Sequence, residues 1–251
     1  MIVLRLMFSR KWILTTLLVV VSSAVCARLG IWQLDRLAQR RAFNAHYLAN
    51  SALPLLTIKT TQDDLAQMEY RPVEVIGTYD FDHQAVLRNQ YYENQQGYFL
   101  LTPMVLSDGT GILVERGWIP ASGNDTPAAW HQYDRPGVVT VKGILRLGET
   151  QAEIGGVPDP TLVPGQTHLD VWNIVNAERI AQQVPYKLPL VFVQPNPEPV
   201  PAAPPYPYQP EIEIDEGPHF GYALQWFAFA ALLFFGYPLF YLRKQAQMEK
   251  K

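Results

Sequence analysis

The stretch FGYALQWFAFAALLFFGYPLFYL, residues 220–242, decides how the chain is read. It runs for 23 residues without a charge. As a helix it is about 35 Å long, enough to cross a hydrocarbon layer of about 30 Å with some tilt. Its flanks differ in sign: Glu211, Glu213, Asp215 and Glu216 precede it, and Arg243, Lys244, Lys250 and Lys251 follow it. Basic residues gather on the cytoplasmic side of membrane spans, which places the C-terminus in the cytoplasm.

A second apolar run, Trp12 to Leu34, is of similar length and contains Arg28. Basic residues flank it on both sides, so its direction follows from the other span: two crossings return the N-terminus to the cytoplasm. A cleaved signal peptide is the rival reading, because Val25-Cys26-Ala27 resembles a cleavage site. The apolar pattern continues through Leu29, Ile31, Trp32 and Leu34, as an uncleaved span requires. Eleven residues precede the run, fewer than a typical mitochondrial presequence, and we expect a bacterial inner membrane. The expected fold class is therefore a membrane α+β protein. Its organisation is a cytoplasmic segment 1–11, helix 12–34, a periplasmic β-rich domain 35–194, a strap and acidic lead-in 195–219, helix 220–242 and a basic tail 243–251.

The charge is divided accordingly. Arg36 to Pro218 holds 12 Lys/Arg against 21 Asp/Glu, a balance of −9, while the remainder carries +6. An acidic middle lacks the basic footprint that phosphates need, so nucleic acid is excluded as a partner and the bilayer is retained. Cys26, inside the first run, is the sole cysteine, which removes disulfides and cysteine metal sites from the middle domain.

Between the runs the periodicity changes. A helical pattern continues through Arg36, Leu37, Arg40, Arg41 and Phe43, limited by Pro54, and a short helix is predicted near Asp63 to Gln67. From Val73 the period is two. Val73–Tyr79, Ala85–Tyr91, Gly97–Leu106, Gly111–Pro120 and Gly137–Leu147 are rich in Val, Ile and Tyr and bounded by turn signals such as Ser107-Asp108-Gly109. Five strands in succession predict an antiparallel sheet, barrel- or sandwich-like. A helix capped by Asn176 follows around Asn176–Gln183, and Leu190–Gln194 reads as a last strand. Half of the residues from Pro195 to Pro210 are proline, an extended, semi-rigid spacer or strap.

Chemistry is sparse. No phosphate-cradling glycine loop, His-Glu-x-x-His or Gly-x-Ser-x-Gly is present. The five histidines share no ligand spacing, and no carboxylate pair is recognisable, so an enzyme is not expected. One cysteine and five methionines make a poor copper site. The informative residue is His219, at the outer end of the second span. On a helix, Tyr222, Ala223, Trp226 and Ala230 share its face. Aromatic walls with small residues between them suit a flat macrocycle, and histidine is a common haem ligand. An aromatic interfacial belt with His219 facing water is the other reading. Arg28, costly inside a span, is expected to snorkel outward, to stack on Trp226 or, like Arg36, to pair with the acid groups of a cofactor. Ser23, Ala27 and Gly30 form a small-residue stripe for close packing against the second span.

Five segments, in order, resemble the Surfeit-locus-1 family of cytochrome c oxidase assembly factors. They are Gly30-Ile31-Trp32-Gln33-Leu34-Asp35-Arg36; Arg71-Pro72-Val73 with Gly77-Thr78-Tyr79-Asp80; Gly97-Tyr98 with Leu101-Thr102-Pro103; Arg116-Gly117-Trp118-Ile119-Pro120; and His219 through Phe227. Glu115 and Gly217-Pro218 depart from the family pattern. The resemblance implies a non-enzymatic role in maturing oxidase subunit I, with subunit I and the haem a synthesis machinery as partners. It further implies haem a as the cofactor, with His219 on the haem iron; the helix-face reading adds Tyr222, Trp226 and Arg28 around it. For the Arg-Gly-Trp turn a structural role is expected: Gly117 for a positive φ or a close backbone approach, Trp118 in the core, Arg116 in an ion pair.

Overall fold

The computed structural model describes residues 7–10, 12–59, 64–152, 155–163 and 165–248. In chain order the elements are α1 (Ile13–Ser51), β1 (Leu56–Ile58), β2 (Pro72–Tyr79), β3 (Ala85–Tyr92), β4 (Gln95–Leu106), β5 (Gly111–Pro120), α2 (Pro127–Trp130), β6 (Val138–Leu147), β7 (Val171–Trp172), α3 (Ala177–Ala181), β8 (Val191–Pro195) and α4 (His219–Met248). The chain divides into two compact units: the terminal segments up to His46 and from Glu213, and the stretch Tyr47–Ile212.

The terminal unit is a helix pair. Along α1 the buried residues Thr16, Ser23, Gly30 and Leu37 recur every seven positions, with Gln33 between the last two. A strict seven-residue repeat keeps one seam turned toward a partner helix. That partner is α4. Thr16 Oγ1 lies 2.8 Å from the Tyr237 hydroxyl, and Ser23 Oγ donates to the Ala230 carbonyl at 2.9 Å. A Cβ placed on Gly30 would stand 2.7 Å from the Phe227 ring, so the absent side chain is what lets that ring approach. Rising positions on α1 meet falling positions on α4, and the helices are antiparallel. Ser23 and Gly30 of the predicted small-residue stripe are buried in this seam, and Ala27 is half-buried. Away from the seam both helices are apolar and uncovered: Leu14 is 77% exposed and Leu232 68%. By length and composition both are able to cross a membrane.

The second unit is a mixed sheet in the order β1-β2-β6-β8-β5-β4-β3-β7. β2 also pairs with β4, so the pairings run round a circuit of five strands, β2, β6, β8, β5 and β4. The predicted strands from β2 to β6 and β8 are present with ends shifted by at most two residues, and Asn176 caps α3 by accepting from the Arg179 amide at 3.1 Å. The expectation of an antiparallel sheet is corrected: β1 on β2, β7 on β3 and β8 on β5 are parallel pairs. The physical reason is connectivity. Neighbours in sequence return by tight turns and pair antiparallel, whereas β1, β7 and β8 reach their partners over longer connections, which permit parallel pairing. A period of two reveals a strand but not its neighbour.

β5 sits at the centre, buried at every position from Gly111 to Ile119. Ile112 and Val114 join one apolar cluster with Val73, Val75, Met104 and Leu145; Leu113 and Trp118 join another with Leu101, Phe192 and Trp172. The β4–β5 register slips beside Arg116, so that Leu100 faces Gly117 and Leu101 faces Glu115. Such a bulge re-aims side chains. Arg116 is the extra residue. Its guanidinium donates to Gln84 Oε1 at 2.8 Å and to the Tyr133 carbonyl, and lies over the rings of Tyr79 and Phe81.

β8 covers β5 only at Leu113 and Val114. Farther along, the proline-rich strap takes over: the Trp118 amide donates to the Tyr206 carbonyl at 2.8 Å, and the Trp118 carbonyl accepts from the Tyr206 amide at 2.9 Å. Gly117 has φ +133°, and a Cβ there would meet the Tyr206 carbonyl group at 2.6 Å. Glycine is thus required twice, by backbone conformation and by the approach of the strap. Tyr206 stacks on Tyr92 at 5.2 Å, and Tyr208 on Phe99 at 6.1 Å. The strap is packed onto the sheet and is more than a spacer.

Candidate functional site

The site builds from the chain's return toward α4. Arg40 donates to the carbonyls of Glu213 (2.6 Å) and Asp215 (3.0 Å), and Asn44 donates to the same Asp215 carbonyl at 2.8 Å. Arg41 grips Glu216 with two bonds of 2.8 Å. The shared hydrogen bond holds the Glu216 carboxyl below its ordinary range and the Arg41 guanidinium above its own. Exposed ion pairs contribute little stability. Bonds to backbone carbonyls do something else: they set the path of residues 213–216 along α1.

That path delivers Gly217 in the left-handed region, at φ +63°, and Pro218 just ahead of the helix. Proline suits a helix start because its missing N–H would have no helical acceptor. The Pro218 carbonyl accepts the Tyr222 amide at 3.1 Å, and His219 opens α4. Its Nδ1 lies 2.8 Å from Oε1 of Gln33, a residue buried in the α1 seam. An amide oxygen only accepts, so Nδ1 carries a proton, and in the neutral ring Nε2 keeps the lone pair. Nε2 has no hydrogen-bond partner among the described residues. A Cβ on Gly217 would stand 3.4 Å from that nitrogen, and glycine there keeps it uncovered.

The other predicted site residues are placed as follows. Ala223 is 1% exposed, and Ala230 accepts from Ser23; these small residues serve helix packing. Tyr222 points outward, 46% exposed. Trp226 is half-buried and meets Phe229 edge-to-face at 6.0 Å. Arg28 is exposed and makes no hydrogen bond, ion pair or ring contact among the described residues, so a stack on Trp226, one of its three candidate roles, is not formed. In its place Arg36 lies over Trp32 at 5.8 Å and donates to Gln39. Sequence reasoning missed Gln33, Arg40 and Asn44 as supports of His219. The available signal was a glutamine on the heptad seam of an otherwise apolar helix.

A second polar centre lies in the sheet. Glu115 is fully enclosed, and burial pushes its carboxyl up to about 7, opposed by a hydrogen bond from Gln194 and the charge of Arg146. Burial likewise lowers the Arg116 guanidinium. Among the described residues no three His, Cys, Asp or Glu side chains form a metal cluster. With its other nitrogen fixed on Gln33, the open nitrogen of His219 could serve as a single ligand to a metal-bearing group.

Paired apolar helices joined through a mixed sheet unit, with one histidine at the start of the second, define a helix-tethered sheet protein. The particular family follows from comparison. The SURF1 family profile matches residues 20–231. The chain is 29% identical to a SURF1-like protein of Mycobacterium bovis over 231 residues, 88% of this chain and 80% of that one. It is 32% identical to a SURF1-like protein of Rickettsia felis over 41% of this chain and 46% of that one. With Surfeit locus protein 1 of Xenopus tropicalis it shares 27% identity over 69% of this chain and 58% of that one. The chain belongs to the SURF1 family, known in general as cytochrome oxidase assembly factors.

Proposed function

We propose that this protein is an inner-membrane assembly factor for haem-copper oxidase, and that His219 holds haem a during maturation of subunit I. Family membership supports the assembly role. Crossing of the membrane is supported by the apolar, uncovered flanks of both helices, since a core helix of a water-soluble protein would be mostly buried. The charge asymmetry around α4 supports cytoplasmic termini and a periplasmic sheet unit.

The observation that carries the haem reading is the divided imidazole: Nδ1–H on Gln33 and an uncovered Nε2. Histidines that ligate metals donate their other N–H to a fixed acceptor, which sets the tautomer and raises basicity. Bound there, haem supplies the iron and the porphyrin ring; Gln33 orients the ligand, Arg40 and Asn44 hold the approach, and Tyr222 and Trp226 offer aromatic surface. Arg28 and Arg36 are the cations available to propionate groups.

The test is the optical spectrum of the full chain purified in detergent after co-expression with haem a synthesis, beside its His219→Ala variant. A Soret band lost in the variant is expected. A colourless wild type, or a band that survives the substitution, overturns haem binding at His219 and leaves a scaffold that holds oxidase subunits.

A further inference from the structure

The sheet unit contains a cavity of about 350 Å³ that the haem reading does not use. Its polar lining is Arg116, Arg135, Tyr79 and Thr140, and its opposite wall is built by Pro199, Pro201, Pro205 and Pro207 of the strap. Arg116 is held rigidly there. The rings of Tyr79 and Phe81, adjacent to one another, lie 4.9 and 5.2 Å from its guanidinium carbon on one side. Two of the five guanidinium N–H groups are used, by Gln84 and the Tyr133 carbonyl.

The charges at this cavity do not balance. Asp134 is the carboxylate nearest Arg116, at 3.9 Å, and it is already shared with His131 Nδ1 at 2.8 Å. Arg135 has no hydrogen bond or ion pair among the described residues, yet its charge acts on both Tyr79 and Arg116. Arg116, buried, and Arg135, exposed, thus face one carboxylate whose other oxygen is bonded to His131. A buried charge without full compensation is costly, and an anion on the free N–H groups of Arg116 would remove that cost.

The strap decides which anion fits. Proline has no N–H, so that wall offers ring carbons and carbonyl acceptors but no proline donor. An anion oxygenated on every side, such as phosphate, would face acceptors there. A carboxylate on an apolar body would not: the guanidinium fork matches its two oxygens and the rings match its body. We propose that this cavity binds a small organic carboxylate, its charged end on Arg116 and Arg135 and its body against the strap prolines.

Calorimetric titration of the full chain in detergent at low ionic strength tests this, with benzoate, acetate and inorganic phosphate as probes. Saturable one-to-one binding of benzoate, tighter than acetate, is expected, and the Arg135→Gln variant should weaken it about tenfold or more. Arg135 is exposed and unpaired, so that variant retains the fold, checked by circular dichroism. No saturable benzoate binding, equal binding by the variant, or tighter binding of phosphate would each overturn the proposal. None of these outcomes bears on His219.

Discussion

The helix pair and the sheet unit both bury polar side chains, and they dispose of them differently. In the helix pair each buried polar residue reaches across to the other helix or to a backbone carbonyl: Thr16 to Tyr237 and Met7, Ser23 to Ala230, Gln33 to His219. These contacts join uncharged groups, and the last leaves one nitrogen of the neutral ring with an open lone pair. In the sheet unit two ionisable neighbours, Glu115 and Arg116, are each enclosed and drawn into separate networks. Glu115 joins Gln194 and Arg146; Arg116 joins Gln84, Tyr133 and the aromatic pair Tyr79 and Phe81. Neutral polar contacts on an apolar seam orient a side chain at small cost. Charged groups buried in a sheet fix the bulge but make stability depend on protonation.

The strongest way to break the sheet side is Gly117→Ala. A side chain there meets both a φ of +133° and strap backbone 2.6 Å away. We expect a loss of about 2–5 kcal/mol in chemical denaturation, from backbone strain and overpacking together. A variant as stable as wild type would show that the strap is not fixed at Tyr206.

Glu115→Gln sharpens the electrostatic half of the comparison. Burial raises the folded-state carboxyl from 4.5 to about 7, so the fold retains a proton that the unfolded chain releases. This group therefore favours the fold most below pH 4.5, loses that contribution as pH rises to 7, and stays unfavourable above. At pH 8 the glutamine variant should be more stable by up to about 3 kcal/mol, with the gain vanishing near pH 4.5. A difference that does not change with pH would remove the buried-acid account.

The smallest effect is expected from Gln33→Leu in the helix pair. Nitrogen NMR of the His219 imidazole should report one neutral tautomer, protonated at Nδ1, in wild type and a mixture in the variant. If His219 holds haem as proposed, haem affinity should fall about 10–100-fold, the usual consequence of removing a ligand's orienting partner. An unchanged tautomer would mean that the amide does not set the ring.

What was legible in the sequence was local. The apolar runs, the continuation of α1 toward Pro54, the period-two strands and the Asn176 cap each depend on residues within a few positions of one another. β7 escaped because two residues carry no period, and β1 because three barely do. His219 stood out by its place at the end of an uncharged run; Gln33, 186 positions away in sequence, did not, because nothing local marks a hydrogen bond across two helices.

The sequence by itself determined where the two long helices and the longer strands form, how charge is distributed between the ends and the middle, and which family the chain resembles. Those properties are sums over short windows and survive without knowledge of neighbours. Only the tertiary structure decided that the sheet is mixed, that the strap pairs with β5, that Arg28 stands apart from Trp226 and that Gln33 turns His219 toward an open Nε2. Each of these is a meeting of groups far apart in the chain. Such meetings depend on which surfaces can bury apolar area together and satisfy polar groups at once, a condition no single segment contains.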